Sequence, residues 1–216
     1  MMIFRDRVDA GRRLAAAIKE EGRPLENGVV LAVPRGGVVV GAEIARELGL
    51  PLDLVIPRKI GAPHNPEAAI GAVAQDGTTF FDRHVLGLLG LREEDLAGKV
   101  AEQTKEIRRR MVKYRGRDDY PPYDGKKIIL VDDGVATGYT LLAAIRSIKK
   151  MFRPEELVLA VPVAPYDTLE MLSREVDRVV CLSTPASFYA VGQFYEDFAQ
   201  TTDGEVIALL KELGGA

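Results

Sequence analysis

Short, unbroken apolar runs alternate with stretches in which apolar residues recur every three or four positions. This alternation carries the chain from residue 28 to about residue 183. The runs at 28–33 (GVVLAV), 52–57 (LDLVIP), 127–131 (KIILV), 156–164 (ELVLAVPVA) and 177–183 (DRVVCLS) read as strands buried on both faces, the pattern of a parallel sheet. Between them lie helical periodicities. One spans 6–21, with Val8, Leu14, Ala15 and Ile18 on one face, one starts at Val38 and stops at Gly49, and others span about 138–151 and 166–176. A strand, turn, helix and strand in that order require parallel pairing, so the predicted fold is α/β: a doubly wound, mainly parallel sheet flanked by helices.

Two segments depart from the alternation. Residues 58–73 are rich in Gly, Pro and Asn and read as loop at their start, followed by two short strands turned at Asp76-Gly77. Residues 92–115 form a long amphipathic helix, with Leu96, Val100, Ile107, Met111 and Tyr114 as its stripe. Acids at Glu93, Glu94 and Asp95 and bases at Arg108, Arg109, Arg110, Lys113 and Arg115 suit its dipole. The basic run reads as a solvated helix end, with RNA phosphates as the alternative occupant, and the stripe could supply a homodimer interface.

Composition narrows the chemistry. With 29 Lys+Arg against 32 Asp+Glu, the net charge of −3 gives no global attraction to nucleic acid or to an anionic membrane. A single cysteine, Cys181, excludes an intrachain disulfide, and its strand setting reads as a packed thiol rather than a nucleophile. Two histidines, His64 and His84, are too few for a histidine-rich metal centre. The sequence has no apolar run of membrane-spanning length and no signal-like start, so a cytoplasmic protein is expected.

The candidate chemistry sits at IILVDDGVATGYT, residues 128–140. Asp132 and Asp133 end an apolar strand side by side, where they repel each other and lose water, an unfavourable arrangement unless something binds there. Small residues follow, and a helix opens at once. Backbone amides at a helix start, with the Thr137 and Thr140 hydroxyls, make an anion cradle, and two carboxylates one step earlier suit a diol or a hydrated metal. Diol plus phosphate at that separation describes a ribose 5-phosphate. The lysine of a Walker loop and the glycines of a dinucleotide fingerprint are missing. A receiver domain would carry its acids in the first strand, and a haloacid-dehalogenase phosphatase would need an acid at Gly134 or Val135.

This stretch resembles the ribose-phosphate signature of type I phosphoribosyltransferases. The resemblance implies that Asp132 and Asp133 hold the ribose hydroxyls of phosphoribosyl pyrophosphate, while Ala136, Thr137, Gly138, Tyr139 and Thr140 wrap its 5-phosphate. Where 6-oxopurine enzymes carry an acid/base aspartate, this chain has Ala136. VPRGG (33–37) resembles the family's pyrophosphate loop, which implies contacts from Arg35, Gly36 and Gly37 and a cis peptide at Pro34-Arg35. PRKIGAP resembles the approach to a mobile catalytic loop, here 61–70, with Arg58 and Lys59 as further pyrophosphate contacts. SFYAVGQFYEDF resembles a hood, with Phe188 stacking on a base and Glu196 or Asp197 as its acid. Magnesium is the implied cofactor, met by Asp132, Asp133 and Asp197 through water or substrate. The opening FRDR, the PRGG loop and an NPE segment are similar to a group of uncharacterised bacterial members.

The implied organisation is one domain over 1–216: a core at about 24–81 and 125–184, a helical insertion at about 82–124, and a hood at about 185–216 with the N-terminal helix. The implied activity is transfer of ribose 5-phosphate to a nitrogenous acceptor, a purine or pyrimidine base, with release of pyrophosphate. The alternative is a non-catalytic sensor of phosphoribosyl pyrophosphate that binds RNA or a protein.

Overall fold

The computed structural model describes residues 3–214. Five parallel strands form the central sheet: β1 (Gly28–Ala32), β2 (Leu52–Leu54), β6 (Lys127–Val131), β7 (Glu156–Val163) and β8 (Arg178–Ser183), in the order β2-β1-β6-β7-β8. Their side chains divide the core by parity. Val30, Ala32, Ile129, Val131 and Val158 pack with Leu14, Ile18, Ile44, Val206 and Leu210, from α1 (Arg7–Glu20), α2 (Gly36–Leu48) and α7 (Asp203–Glu212). Val29, Leu31, Ile128, Leu130 and Leu159 pack with Leu141, Ile145, Ile148 and Leu172, from α5 (Tyr139–Phe152) and α6 (Tyr166–Ser173). Both faces are covered, which is why the strands read as continuous apolar runs. From β1 the chain steps to β2 on one side, whereas β6 continues to β7 and β8 on the other. The topological switch point therefore lies between β1 and β6, where ligands of such sheets bind.

The segment expected as a loop at 61–70 is a hairpin instead. β3 (Arg58–Ala62) and β4 (Asn65–Val73) pair antiparallel around Pro63-His64, and β5 (Thr79–Phe81) adds a third strand after the predicted Asp76-Gly77 turn. The Gly/Pro content that reads as loop serves an irregularity in the pairing: a Cβ at Gly61 would lie 2.2 Å from the Pro66 carbonyl oxygen. The side chain of Glu67, in the same hairpin, lies outside what is described.

The long helix predicted over 92–115 is a 3-10 turn (Glu93–Leu96) running straight into α4 (Ala97–Arg115), and a short α3 (Arg83–Leu88) precedes it. Its stripe is no free interface, because Leu96, Ile107, Met111 and Tyr114 are buried in this chain's own core, with Val100 against them. Nor is Arg115 a solvated helix end. It is fully buried and donates to both Asp53 oxygens at 2.6 and 2.8 Å, while Tyr123 donates to Asp53 at 2.8 Å. Cys181 lies half-buried in β8, and burial pushes its thiol up, away from the reactive thiolate. Among the described residues no helix is long and apolar enough to cross a membrane.

Candidate active site

β1 and β6 pair in register to Ala32 and Val131, and Val33 extends the ladder by donating to the Val131 carbonyl at 2.9 Å. The two loops expected to carry chemistry thus leave the sheet side by side. They touch at the glycines. A Cβ on Gly36 would lie 1.9 Å from Asp133 Oδ2, and one on Gly37 would lie 2.9 Å from Asp132 Cα and 3.0 Å from Asp132 Oδ1. Only glycine lets the first turn of α2 sit on the carboxylates. The Pro34-Arg35 peptide is cis.

Asp133 is held from outside the sheet. Arg7, the first residue of α1, donates Nε to Asp133 Oδ2 at 2.7 Å, with side chains 11% and 16% exposed. Tyr195 donates its hydroxyl to the Asp133 carbonyl at 2.6 Å. Asp132 instead accepts the Asp133 backbone N–H at 2.8 Å on Oδ1. Burial and then the neighbouring Asp133 push its carboxyl well above the usual range. Asp133 is ion-paired within the chain, and Asp132, partly exposed beside it, carries the repulsion of the pair.

Beyond the pair, Gly138 takes a left-handed conformation with φ of 76°, where a Cβ would also meet Thr168 Cγ2 at 2.9 Å. α5 begins immediately afterward, so its unpaired first-turn amides open beside Thr137 and Thr140. Ala136 and Thr137 are exposed, and the Ala136 carbonyl accepts from the Thr168 hydroxyl at 2.8 Å. The Tyr139 side chain turns away to donate to Asp82 and pack on Phe80, leaving only its backbone facing the loop.

The remaining candidates are placed less centrally. Arg35 reaches toward α7, 3.6 Å from Asp203, which also takes Lys113 at 2.5 Å and the Tyr114 hydroxyl at 2.6 Å. Arg58 lies along α4 and donates to Gln103 at 2.5 Å, with Lys59 exposed beside it on β3. Phe188 packs its ring 5.2 Å from Phe194 in a small hood cluster, whereas Tyr189 is 90% exposed. Glu196 and Asp197 are exposed, and their backbone N–H groups donate to the Phe4 and Arg5 carbonyls at 2.8 Å each. Asp197 borders a cavity of about 190 Å³ with Asp6, Arg7 and Glu205.

Among the described residues no three His, Cys, Asp or Glu side chains converge to cage a metal. Magnesium, which keeps its waters and binds through one or two carboxylates plus substrate phosphates, fits the Asp132/Asp133 pair on those terms. The site residue that the sequence does not announce is Arg7: FRDR ends 126 positions before Asp133, and only the fold brings the two together.

A family model described as a phosphoribosyl transferase domain matches residues 3–199. A protein of Mycobacterium tuberculosis, provisionally named a phosphoribosyl transferase, is 41% identical over 211 residues, 97% of this chain and 47% of its own length. This chain therefore spans about half the length of the curated relatives it matches. The crystal structure of TT1426 from Thermus thermophilus is 43% identical with a TM-score of 0.81, covering 98% of this chain and 99% of that one.

Proposed function

This chain belongs to the phosphoribosyl transferase family, and we propose that it moves ribose 5-phosphate from phosphoribosyl pyrophosphate to a nitrogenous acceptor, a purine or pyrimidine base, in cytoplasmic nucleotide salvage. The observation that carries this reading is the contact at the switch point, where Gly36 and Gly37 of one loop rest on Asp133 and Asp132 of the other. A ligand with a diol at the carboxylates and a phosphate at the start of α5 would present its pyrophosphate to the amides of that glycine turn.

The bond from the anomeric carbon to pyrophosphate oxygen breaks, its electron pair leaving with pyrophosphate, and a bond to the acceptor nitrogen forms. Positive charge develops on the sugar ring, so anionic Asp132 and Asp133 favour it while orienting the hydroxyls. Arg35 exchanges Asp203 for the leaving group, with Lys59 as a second cation on the hairpin side. Magnesium, when bound, offsets the pyrophosphate charge. With alanine at position 136, no carboxylate stands there to take the acceptor's proton, which passes to pyrophosphate or solvent. Phe188 or the more exposed Tyr189 supplies the platform for the base.

The RNA-binding alternative loses support from the basic helix. Arg109 and Arg110 share Glu106, Lys113 pairs with Asp203, and Arg115 is spent on Asp53. Calorimetric titration with magnesium phosphoribosyl pyrophosphate, on wild type and on Asp132→Asn/Asp133→Asn, tests the proposal. Saturable binding by wild type and none by the variant is expected. A folded wild type that takes no donor, with or without a mixture of bases, would overturn it.

A further inference from the structure

Arg7 bonds to the Asp133 carboxylate and to residues 198–199 of the hood at once. Its Nε donates to Asp133 Oδ2 at 2.7 Å, its Nη1 donates to the Ala199 carbonyl at 2.7 Å, and its guanidinium lies 3.9 Å from the centre of the Phe198 ring. The backbone around it is pinned on both sides. Phe4 donates to Phe194 and accepts from Glu196, each at 2.8 Å, and Asp6 caps α1 by accepting the Asp9 N–H at 2.7 Å. The Phe198 ring in turn stacks 5.0 Å from Tyr195, whose hydroxyl holds the Asp133 carbonyl. A planar cation with a fixed fork can serve an acid, a carbonyl and a ring face at once, and lysine cannot.

We infer that Arg7 is a positioning residue that couples the hood to the donor site: by fixing the Asp133 carboxylate it presents the remaining oxygen to the ribose, and by gripping Ala199 and Phe198 it makes donor binding and hood order one event. The coupling rests on the donor-site reading proposed above. It is physical because both sites bias a single element, the Arg7 side chain. Asp133 contributes its geometry only while Arg7 holds it, and Arg7 stays extended only while Phe198 and Ala199 hold Arg7.

The test compares wild type, Arg7→Gln, Arg7→Lys and the surface control Arg174→Gln by titration with magnesium phosphoribosyl pyrophosphate and by amide hydrogen exchange. In the apo protein, Arg7→Gln is expected to speed exchange at residues 194–199 at least about tenfold, the loss of a charge-assisted contact. Amides of β6 and β7 should stay unchanged. Donor affinity should fall about tenfold or more, and added donor should slow hood exchange in wild type but not in Arg7→Gln. Arg7→Lys should recover part of the affinity and little of the hood protection. Unchanged hood exchange in apo Arg7→Gln overturns the coupling whatever the ligand does. Equal donor affinity in wild type and Arg7→Gln overturns the positioning role. A wild type that binds no donor but whose hood depends on Arg7 sinks the donor reading and the coupling to it, and leaves Arg7 as a structural clasp.

Discussion

Replacing Gly36 with alanine puts a methyl group where the two loops meet. The added Cβ would stand 1.9 Å from Asp133 Oδ2, 2.7 Å from Asp133 Cγ and 2.6 Å from Arg7 Nε, whereas ordinary contacts begin near 3.4 Å. A gap of about 1.5 Å must open there. The carboxylate can rotate, which breaks its bond to Arg7, or the first turn of α2 can back away from β6. Either way the amides of the glycine turn lose register with the carboxylates that, on the proposed reading, would hold the ribose. A misplacement of about 1 Å at a reacting centre costs roughly 100-fold, so a fall of that size or more in donor affinity and in pyrophosphate release is expected. Overpacking also costs about 1–3 kcal/mol, and Tm should drop by a few degrees at about 2–4 °C per kcal/mol. The control is Gly98→Ala in α4, where a Cβ meets nothing within 4 Å. It should leave donor affinity unaltered and hold or raise stability, by up to about 1 kcal/mol. Calorimetry with the donor and differential scanning calorimetry without it read the two effects separately. Wild-type donor affinity in a destabilised Gly36→Ala would show that the close approach is packing alone, and would refute the reasoning that joins the two loops into one site.

Two further outcomes follow from the buried charges. Arg115→Met strands Asp53 with Tyr123 in the core, so it should cost about 3–5 kcal/mol, whereas Asp53→Leu/Arg115→Met should recover much of the loss; thermal unfolding measures both, and a double variant as weak as the single would show that the pair is net stabilising. Asp132→Asn should stabilise the apo protein at neutral pH while weakening donor binding. The folded carboxyl titrates above its ordinary value of 3.8, so its charge is a cost that grows as pH rises through the folded value and vanishes below the ordinary one. The Tm advantage of the variant should therefore shrink as pH falls toward about 4, and a gain that persists unchanged below that point would contradict the cause given.

What the chain states locally, it states well. Five mainly apolar runs, each bounded by a turn, gave the sheet because a strand covered on both faces favours apolar residues at successive positions, a demand visible in any window of five. The candidate loops were legible for the same reason: each is contiguous, and the strand before it and the helix after it show the end of the sheet at which it sits. The start of the hairpin reads as loop because its Gly and Pro serve a pairing irregularity, which local composition does not distinguish from a loop, whereas its strand end at 69–73 and the turn after it are legible. Arg115 resembled its neighbours in a basic run, and only the fold brings it to Asp53, 62 residues away.

The same limit governs the aspartate pair, and there it has a chemical consequence. Two adjacent acids at a strand end pose a problem of charge that the sequence states and does not solve. The fold solves half of it, because Arg7 comes back over a separation of 126 residues to neutralise Asp133 and clamp it. Asp132, partly exposed, is left with its carboxyl raised and accepts the Asp133 backbone N–H. A chain selected for stability alone would close that gap with a second cation or an amide, since an unanswered carboxylate opposes folding. On the proposed reading the demand for a partner falls on Asp132, so the first substrate atoms to look for near this site are the hydroxyl protons that would face its carboxylate.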